Sequence, residues 1–255
     1  MTVPDVSVIV PIFNERQRID RLVTELAEHA AADVAEAGLR LCEVIAVDDG
    51  STDRSAEALE QHAEMLPELR VLAEAQPNAG KGAAIARGIE AARGEWVRLV
   101  DADLATPLDQ LAALTEHVAE GADVVVASRD LPGSVVLNAP RHRFVLGRGF
   151  NRIVRALTGL PLRDTQCGFK LLRTSDARRI TSAQIVRRWA YDVELLLRAR
   201  EAGLVIAEAP VRYRHGEASK LSPVRAAPHM LWDVLKIVWA LRFGPRDQAY
   251  RDTGR

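Results

Sequence analysis

Four short runs, at residues 6–12, 41–47, 96–100 and 122–128, are apolar at nearly every position, and each runs into polar residues. A half-exposed strand alternates apolar and polar residues; these runs do not. Strands apolar on both faces belong to a parallel sheet covered by helices on both sides. The segments between them fit that reading. Residues 15–37 carry Ile19, Leu22, Val23 and Leu26 at helical spacing, with Asn14 placed as the cap and Gln17 reaching back. Ser51, Thr52 and Asp53 are placed to open a helix reaching about residue 65, residues 70–73 form a short strand, and residues 80–93 read as an Ala-rich helix stopped by Gly94. Pro107 stands at the start of a further helix.

The second half is less regular. Residues 129–140 read as a loop punctuated by Gly and Pro. Residues 141–157 predict a basic amphipathic helix with Phe144, Val145, Phe150, Ile153, Val154 and Leu157 on its apolar side. Residues 189–202 predict another helix, residues 204–213 one or two strands, and residues 229–243 an apolar helix bearing Trp232 and Trp239. A boundary near residue 215 divides a domain at 1–215 from a C-terminal arm at 216–255, whose helix is expected to meet a membrane or a second subunit.

The 255 residues are 48 % hydrophobic, enough for a substantial core, and the net charge of −1 gives no global electrostatic case for nucleic acid. Cys42 and Cys167 are far apart in apolar surroundings, which suits reduced thiols in the cytoplasm. No stretch has the layout of a signal peptide, and no run of about 18 apolar residues would span a bilayer.

Chemistry-bearing residues follow the strands. Pro11 to Glu15 follows the first, Asp48-Asp49-Gly50-Ser51 the second, Asn78-Ala79-Gly80-Lys81-Gly82 opens the third helix, and Asp101-Ala102-Asp103 follows the fourth strand. Parallel strands end on one edge, so these clusters are expected to converge there. Two carboxylates one residue apart can share a hard divalent cation, which can in turn hold a diphosphate. Glycine-cradle alternatives do not fit. Gly80-Lys81-Gly82 runs on to Ile85 where a dinucleotide fingerprint needs a third small residue, and Ala75 and Gly82 break a phosphate-loop pattern. Taken singly, each cluster has a plain structural use as a cap, a tight turn or a helix start; together they point to a nucleotide site.

The segments Val8-Ile9-Val10-Pro11-Ile12-Phe13-Asn14-Glu15, Val47-Asp48-Asp49-Gly50-Ser51 and Asp101-Ala102-Asp103 resemble family 2 glycosyltransferases. The resemblance spans about residues 5–220 and implies the GT-A nucleotide-diphospho-sugar transferase fold, an α/β architecture with a mostly parallel sheet flanked by helices. Asp164-Thr165-Gln166-Cys167-Gly168-Phe169-Lys170 and Trp189-Ala190-Tyr191-Asp192-Val193-Glu194 are similar to dolichyl-phosphate β-glucosyltransferases. The related mannose synthases tend to carry Gln where this chain has Ala105. Two departures stand out: Phe13 where the family usually has Tyr, and Leu104 where the glucosyl relatives usually have Gly.

The resemblance implies an inverting transfer of a hexose, glucose favoured, from a nucleoside diphosphate sugar to a polyprenyl phosphate at a membrane surface, on its cytoplasmic face. It places Pro11, Phe13 and Glu15 around base and ribose, with Asp49 holding one of them and Lys81 nearby. It gives Asp101 to ribose and metal, Asp103 to direct ligation of Mg²⁺ or Mn²⁺, Gln166 to the sugar, and Asp192 to a sugar hydroxyl or the nucleophile. An anionic phosphate acceptor needs cations rather than a strong base, and Arg129, Arg143 and Lys220 are the candidates. A homodimer is a further expectation. The rival readings are transfer of mannose, a sugar-1-phosphate nucleotidyltransferase, which would carry a Gly- and Arg-containing loop after the first strand, and a non-catalytic sugar-nucleotide binder.

Overall fold

A computed structural model describes residues 3–73, 78–215 and 223–243; the side chains of 141–144 and 223–226 lie outside the description. The first half runs β1 (Asp5–Ile12), α1 (Arg16–Glu36), β2 (Arg40–Asp48), α2 (Ser55–Gln61), β3 (Leu69–Ala73), α3 (Lys81–Ala91), β4 (Trp96–Leu99), α4 (Leu111–Ala119) and β5 (Val124–Ser128). The second half adds β6 (Val135–Leu137), α5 (Arg141–Thr158), β7 (Lys170–Arg173), α6 (Thr174–Ser182), α7 (Tyr191–Glu201), β8 (Ile206–Pro210), β9 (Arg212–Arg214) and α8 (Pro223–Phe243).

The main sheet has seven strands in the order β3-β2-β1-β4-β7-β5-β8, and β6 pairs with β9 in a separate ribbon. All pairings in the main sheet are parallel except those of β7, which runs antiparallel between β4 and β5. Both faces are covered, as the apolar runs require. Val6, Val8, Val10 and Ile12 of β1 pack with Ile19, Leu22, Val23 and Leu26 of α1 and with Leu111 and Leu114 of α4. Ile9, with Ile45 and Val47 of β2, faces Ile85 and Ile89 of α3 and Leu196 of α7. Met230, Val234 and Ile237 of α8 are buried in this second layer, and α8 packs on α5 and α7.

Several expectations change. Asn14 does not cap α1: the capping position is Glu15, with no side-chain cap of its own. Asp53 accepts the Arg16 amide at 3.0 Å and Ser55 the Glu15 amide at 2.9 Å. The cap is thus supplied across space by the loop after β2. Asn14 instead takes a left-handed backbone (φ 54°) and accepts the Thr52 amide at 2.8 Å, so the two loops lock together. The second helix accordingly starts at Ser55, because Ser51 and Asp53 are engaged in that lock. Pro107 precedes a single 3-10 turn, Leu108–Gln110, before α4. The antiparallel β7 and the helix α6 were not legible: Lys170-Leu171-Leu172-Arg173 is too short and too charged at its ends to signal a central strand. Residues 135–137, read as loop, form β6.

Candidate active site

The ends of β1 and β2 are in register, with Pro11 opposite Val47 and Ile12 opposite Asp48. Beyond β4 the Val100 amide still donates to the Ile9 carbonyl at 3.0 Å, which delivers Asp101 to the same rim. Asp49 is buried there, accepting the amides of Ala79 at 2.9 Å and Gly80 at 2.8 Å. It thereby fixes the approach to α3. Lys81, the next residue, donates from Nζ to Asp101 Oδ1 at 2.5 Å. Asp49, Lys81, Asp101 and Asp103 therefore form one contiguous group at the carboxyl ends of parallel strands, where such folds place ligands. Phe13 lies 38 % exposed on the same rim, and Glu15 accepts from Arg18 at 2.7 Å.

The two paired carboxylates have different electrostatics. Burial works against charge on Asp101, but the adjacent Lys81 ammonium outweighs it and holds the carboxyl below the usual range. Burial pushes Asp103 up, and the negative charge of Asp101 pushes it further. Asp103 accepts the Ala105 amide at 3.1 Å. That turn needs Leu104 at φ 49°, the left-handed region in which glycine is at ease. Burial also opposes charge on Lys81, yet Asp101 and then Asp192 keep its ammonium above the ordinary lysine range. The rings of Trp189 and Tyr191 lie 5.6 and 5.8 Å from that ammonium.

Gly168 presses against Asp101: a Cβ added there would collide with the carboxylate, so the 164–168 turn reaches the site only through a glycine. Two buried ion pairs hold that turn. Arg129 donates to both oxygens of Asp164, at 2.6 and 2.9 Å, and stacks over Tyr213 at 5.1 Å. Burial opposes the Asp164 charge, but Arg129 pulls its pKa down to about 2. Lys170, fully buried, donates to the Cys167 carbonyl at 2.5 Å and to Asp192. Within the turn, the Gln166 side-chain nitrogen is buried with no hydrogen-bond partner among the described residues.

Residues 7–181 match the family described as Glycosyl transferase family 2. The chain belongs to that family. The dolichyl-phosphate β-glucosyltransferase of Dictyostelium discoideum is 34 % identical over 242 residues, covering 91 % of this chain and 73 % of that protein. The human dolichyl-phosphate β-glucosyltransferase is 33 % identical over 240 residues, covering 91 % and 74 %. A crystal structure of glucosyl-3-phosphoglycerate synthase from Mycobacterium tuberculosis, in complex with Mn²⁺ and UDP-glucose, superposes with a TM-score of 0.66. It is 19 % identical and covers 96 % of this chain and 81 % of that one. The GT-A fold expected from the motifs is the fold of this glycosyltransferase.

Within that family frame, the structure sorts the residues singled out from sequence. Pro11, Phe13, Glu15, Asp49, Lys81, Asp101 and Asp103 share the rim, and Gln166 borders it through Gly168. Asp192 lies in the first turn of α7 rather than at its cap, which is Ala190, and its carboxylate is engaged by Lys170. Arg129 is committed to Asp164 rather than free for an acceptor. Arg143 lies in the first turn of α5, where side chains are outside the description, and Lys220 falls outside the described residues. Asp164, Lys170 and Tyr213 were missed as partners. The first two stand in the 164–170 motif itself, and a buried Lys flanked by apolar residues was the available signal.

The donor set suits a hard divalent ion. Asp101 and Asp103 offer carboxylate oxygens, and no cluster of three or more acidic, His or Cys side chains exists among the described residues. Mg²⁺-type sites are commonly built from one or two carboxylates, substrate phosphates and water.

Proposed function

We propose that this glycosyltransferase moves glucose from UDP-glucose to a dolichyl-type polyprenyl phosphate, with inversion and with help from a divalent metal ion. One observation carries the reading. The acidic pair, Lys81 and Asp49 gather at one rim in a chain that shares a third of its residues with proteins named dolichyl-phosphate β-glucosyltransferase. The structural neighbour solved with Mn²⁺ and UDP-glucose supports the donor and the metal.

In this reading the phosphate oxygen of the lipid attacks the anomeric carbon from the face opposite the leaving diphosphate. The bond to the nucleoside diphosphate breaks as the new bond forms. The acceptor is already anionic, so no strong base is needed, which agrees with an Asp192 engaged by Lys170. Asp101 and Asp103 would hold Mg²⁺ or Mn²⁺, which supplies neutralisation of charge on the departing diphosphate. Phe13 and Pro11 flank the base, and the unpartnered Gln166 amide donates to a sugar hydroxyl. Asp49, with two oxygens already accepting backbone amides, keeps lone-pair sites for the base or ribose. Arg143 and Lys220 are the acceptor cations, with Arg129 acting through the turn it braces.

The membrane surface belongs to the same reading. No helix among the described residues is long and apolar enough to cross a bilayer. On α8, Trp232, Leu235, Trp239 and Phe243 are exposed on the side opposite the buried Met230, Val234 and Ile237. On α5, which packs beside it, Val145, Leu146 and Ile153 are exposed among Arg148, Arg152 and Arg155. Apolar side chains rimmed by arginines suit an anionic lipid interface on the cytoplasmic face. The 216–255 arm would then serve as the docking element.

The test is purified protein with Mn²⁺ or Mg²⁺, a panel of UDP- and GDP-hexoses, and a polyprenyl phosphate. The expected product is polyprenyl-phosphate glucose, with GDP-mannose inert. Release of pyrophosphate instead would mark a nucleotidyltransferase and sink the proposal. Flotation with anionic vesicles, compared with the Trp232→Ala/Trp239→Ala variant, tests the surface; unchanged flotation with loss of a dimer would assign that face to a second subunit.

A further inference from the structure

Lys81 has an unusual position for a phosphate-binding lysine, because its ammonium sits on the very carboxylate that a metal ion would use. The backbone around it is closely held. Asp49 holds the Gly80 amide, the Ala83 amide donates to the Arg187 carbonyl at 3.1 Å, and a Cβ on Gly82 would lie 2.5 Å from that of Tyr191. The Lys81 side chain is 17 % exposed, and its ammonium lies beside the rings of Trp189 and Tyr191.

Resting on the metal-assisted donor reading above, we propose that Lys81 and the divalent ion exchange places. Lys81 is the resident cation of Asp101 while the donor is absent, and it turns onto the diphosphate when metal and sugar nucleotide arrive.

The argument is one of charge and space. A Mg²⁺-type ion ligating Asp101 would sit about 2.0–2.1 Å from a carboxylate oxygen. The Lys81 ammonium already lies 2.5 Å from Oδ1. Two cations on one carboxylate repel each other strongly in a partly buried site. Asp101 and Asp103 carry two negative charges and Lys81 one positive, a net deficit of one. A divalent ion turns this into an excess of one, and the two negative charges of a diphosphate diester then have a partner. Among the described residues the other cations acting on the acidic pair are engaged: Lys170 by Asp192, Arg129 by Asp164 and Arg18 by Glu15. The rings of Trp189 and Tyr191, within 6 Å of the ammonium, offer it cation–π contact that does not depend on the carboxylate.

The experiment titrates Mn²⁺ alone into wild-type protein, Lys81→Met and Lys81→Arg, reading free Mn²⁺ by EPR, with thermal melts to confirm folding. Lys81→Met is expected to bind Mn²⁺ at least about fivefold tighter than wild type, and UDP in saturating Mn²⁺ at least about tenfold weaker. Lys81→Arg, which keeps the charge, is expected to stay near wild type for Mn²⁺. Unchanged or weaker Mn²⁺ binding by Lys81→Met overturns the exchange, as does equal tightening in both variants or no Mn²⁺ uptake by any protein. The Mn²⁺ titration needs neither donor nor acceptor. The opposed shifts in a protein that transfers no hexose would therefore support the exchange and sink the acceptor reading alone.

Discussion

Glu43, in the first half of β2, and Asp101 with Asp103, beyond the end of β4, are acidic centres at opposite ends of the two strands that flank β1. Glu43 is 2 % exposed, and both of its oxygens are used. It accepts from Ser7 Oγ at 2.8 Å, from the Arg93 amide at 2.6 Å and from Arg70. Ser7 in turn accepts the Gly94 amide at 2.9 Å. At the other end, Asp101 accepts a side-chain hydrogen bond from Lys81, Asp103 has its pKa raised by burial and by Asp101, and Gln166 keeps a buried donor unpartnered among the described residues. A saturated network ties strands together. An undersaturated one, held open by rigid neighbours, leaves room for a ligand to complete it.

The sharpest way to break this contrast is to remove one carboxylate from each end. Asp103→Asn is expected to lower transfer about a thousandfold at saturating Mn²⁺, with an unchanged thermal midpoint, because only charge stabilisation at the reacting diphosphate is lost. Near-normal turnover would refute the metal role of Asp103. Glu43→Ala should do the reverse. It leaves Arg70 and the Arg93 amide without their acceptor and is expected to cost about 3 kcal/mol in urea unfolding, with turnover per folded molecule preserved.

A smaller effect separates the buried Arg129–Asp164 pair near the site from the rim itself. Asp164 has its folded pKa lowered from 3.8 to about 2, so it binds fewer protons folded than unfolded through that range. Its stabilisation, about 2 kcal/mol, is present above the unfolded value and is lost as pH falls from about 4 to 2. Glu43, also lowered, against its burial, by Arg70, Ser7 and Arg93, adds to the same acid limb as pH falls below 4.5. Asp164→Asn is expected to flatten that limb in urea midpoints measured between pH 7 and 2.5; an unchanged slope would deny the pair its role. The smallest effect is expected at Leu104. Leu104→Gly relieves about 1 kcal/mol of left-handed strain but removes a side chain packed on the core. The melting temperature should therefore move by no more than a few degrees, and a loss above about 3 kcal/mol would show that packing there dominates.

Much of the site was legible because its residues sit at strand ends, and strand ends are marked by apolar runs that stop. Asp49, Lys81, Asp101 and Asp103 were placed together by that logic alone. Their partners were another matter. Arg129 looked available for a phosphate because nothing near it in the chain is acidic except Asp130; its partner Asp164 is 35 residues away. Asp192 looked like a free carboxylate because Lys170, 22 residues earlier, was not recognised as a buried central-strand residue.

Local patterning therefore determined the strand and helix alternation, the parallel sheet covered on both faces and the acidic rim of this glycosyltransferase, while the family was carried by the resemblance of three short motifs. Periodicity and strand termination are properties of neighbouring residues, and the chain states them directly. The insertion of β7 antiparallel between β4 and β5, the capping of α1 by Asp53, and the pairing of each buried lysine or arginine were decided only in three dimensions. Those outcomes depend on which distant segments become neighbours, and a charge buried without water must take whatever partner the packing brings.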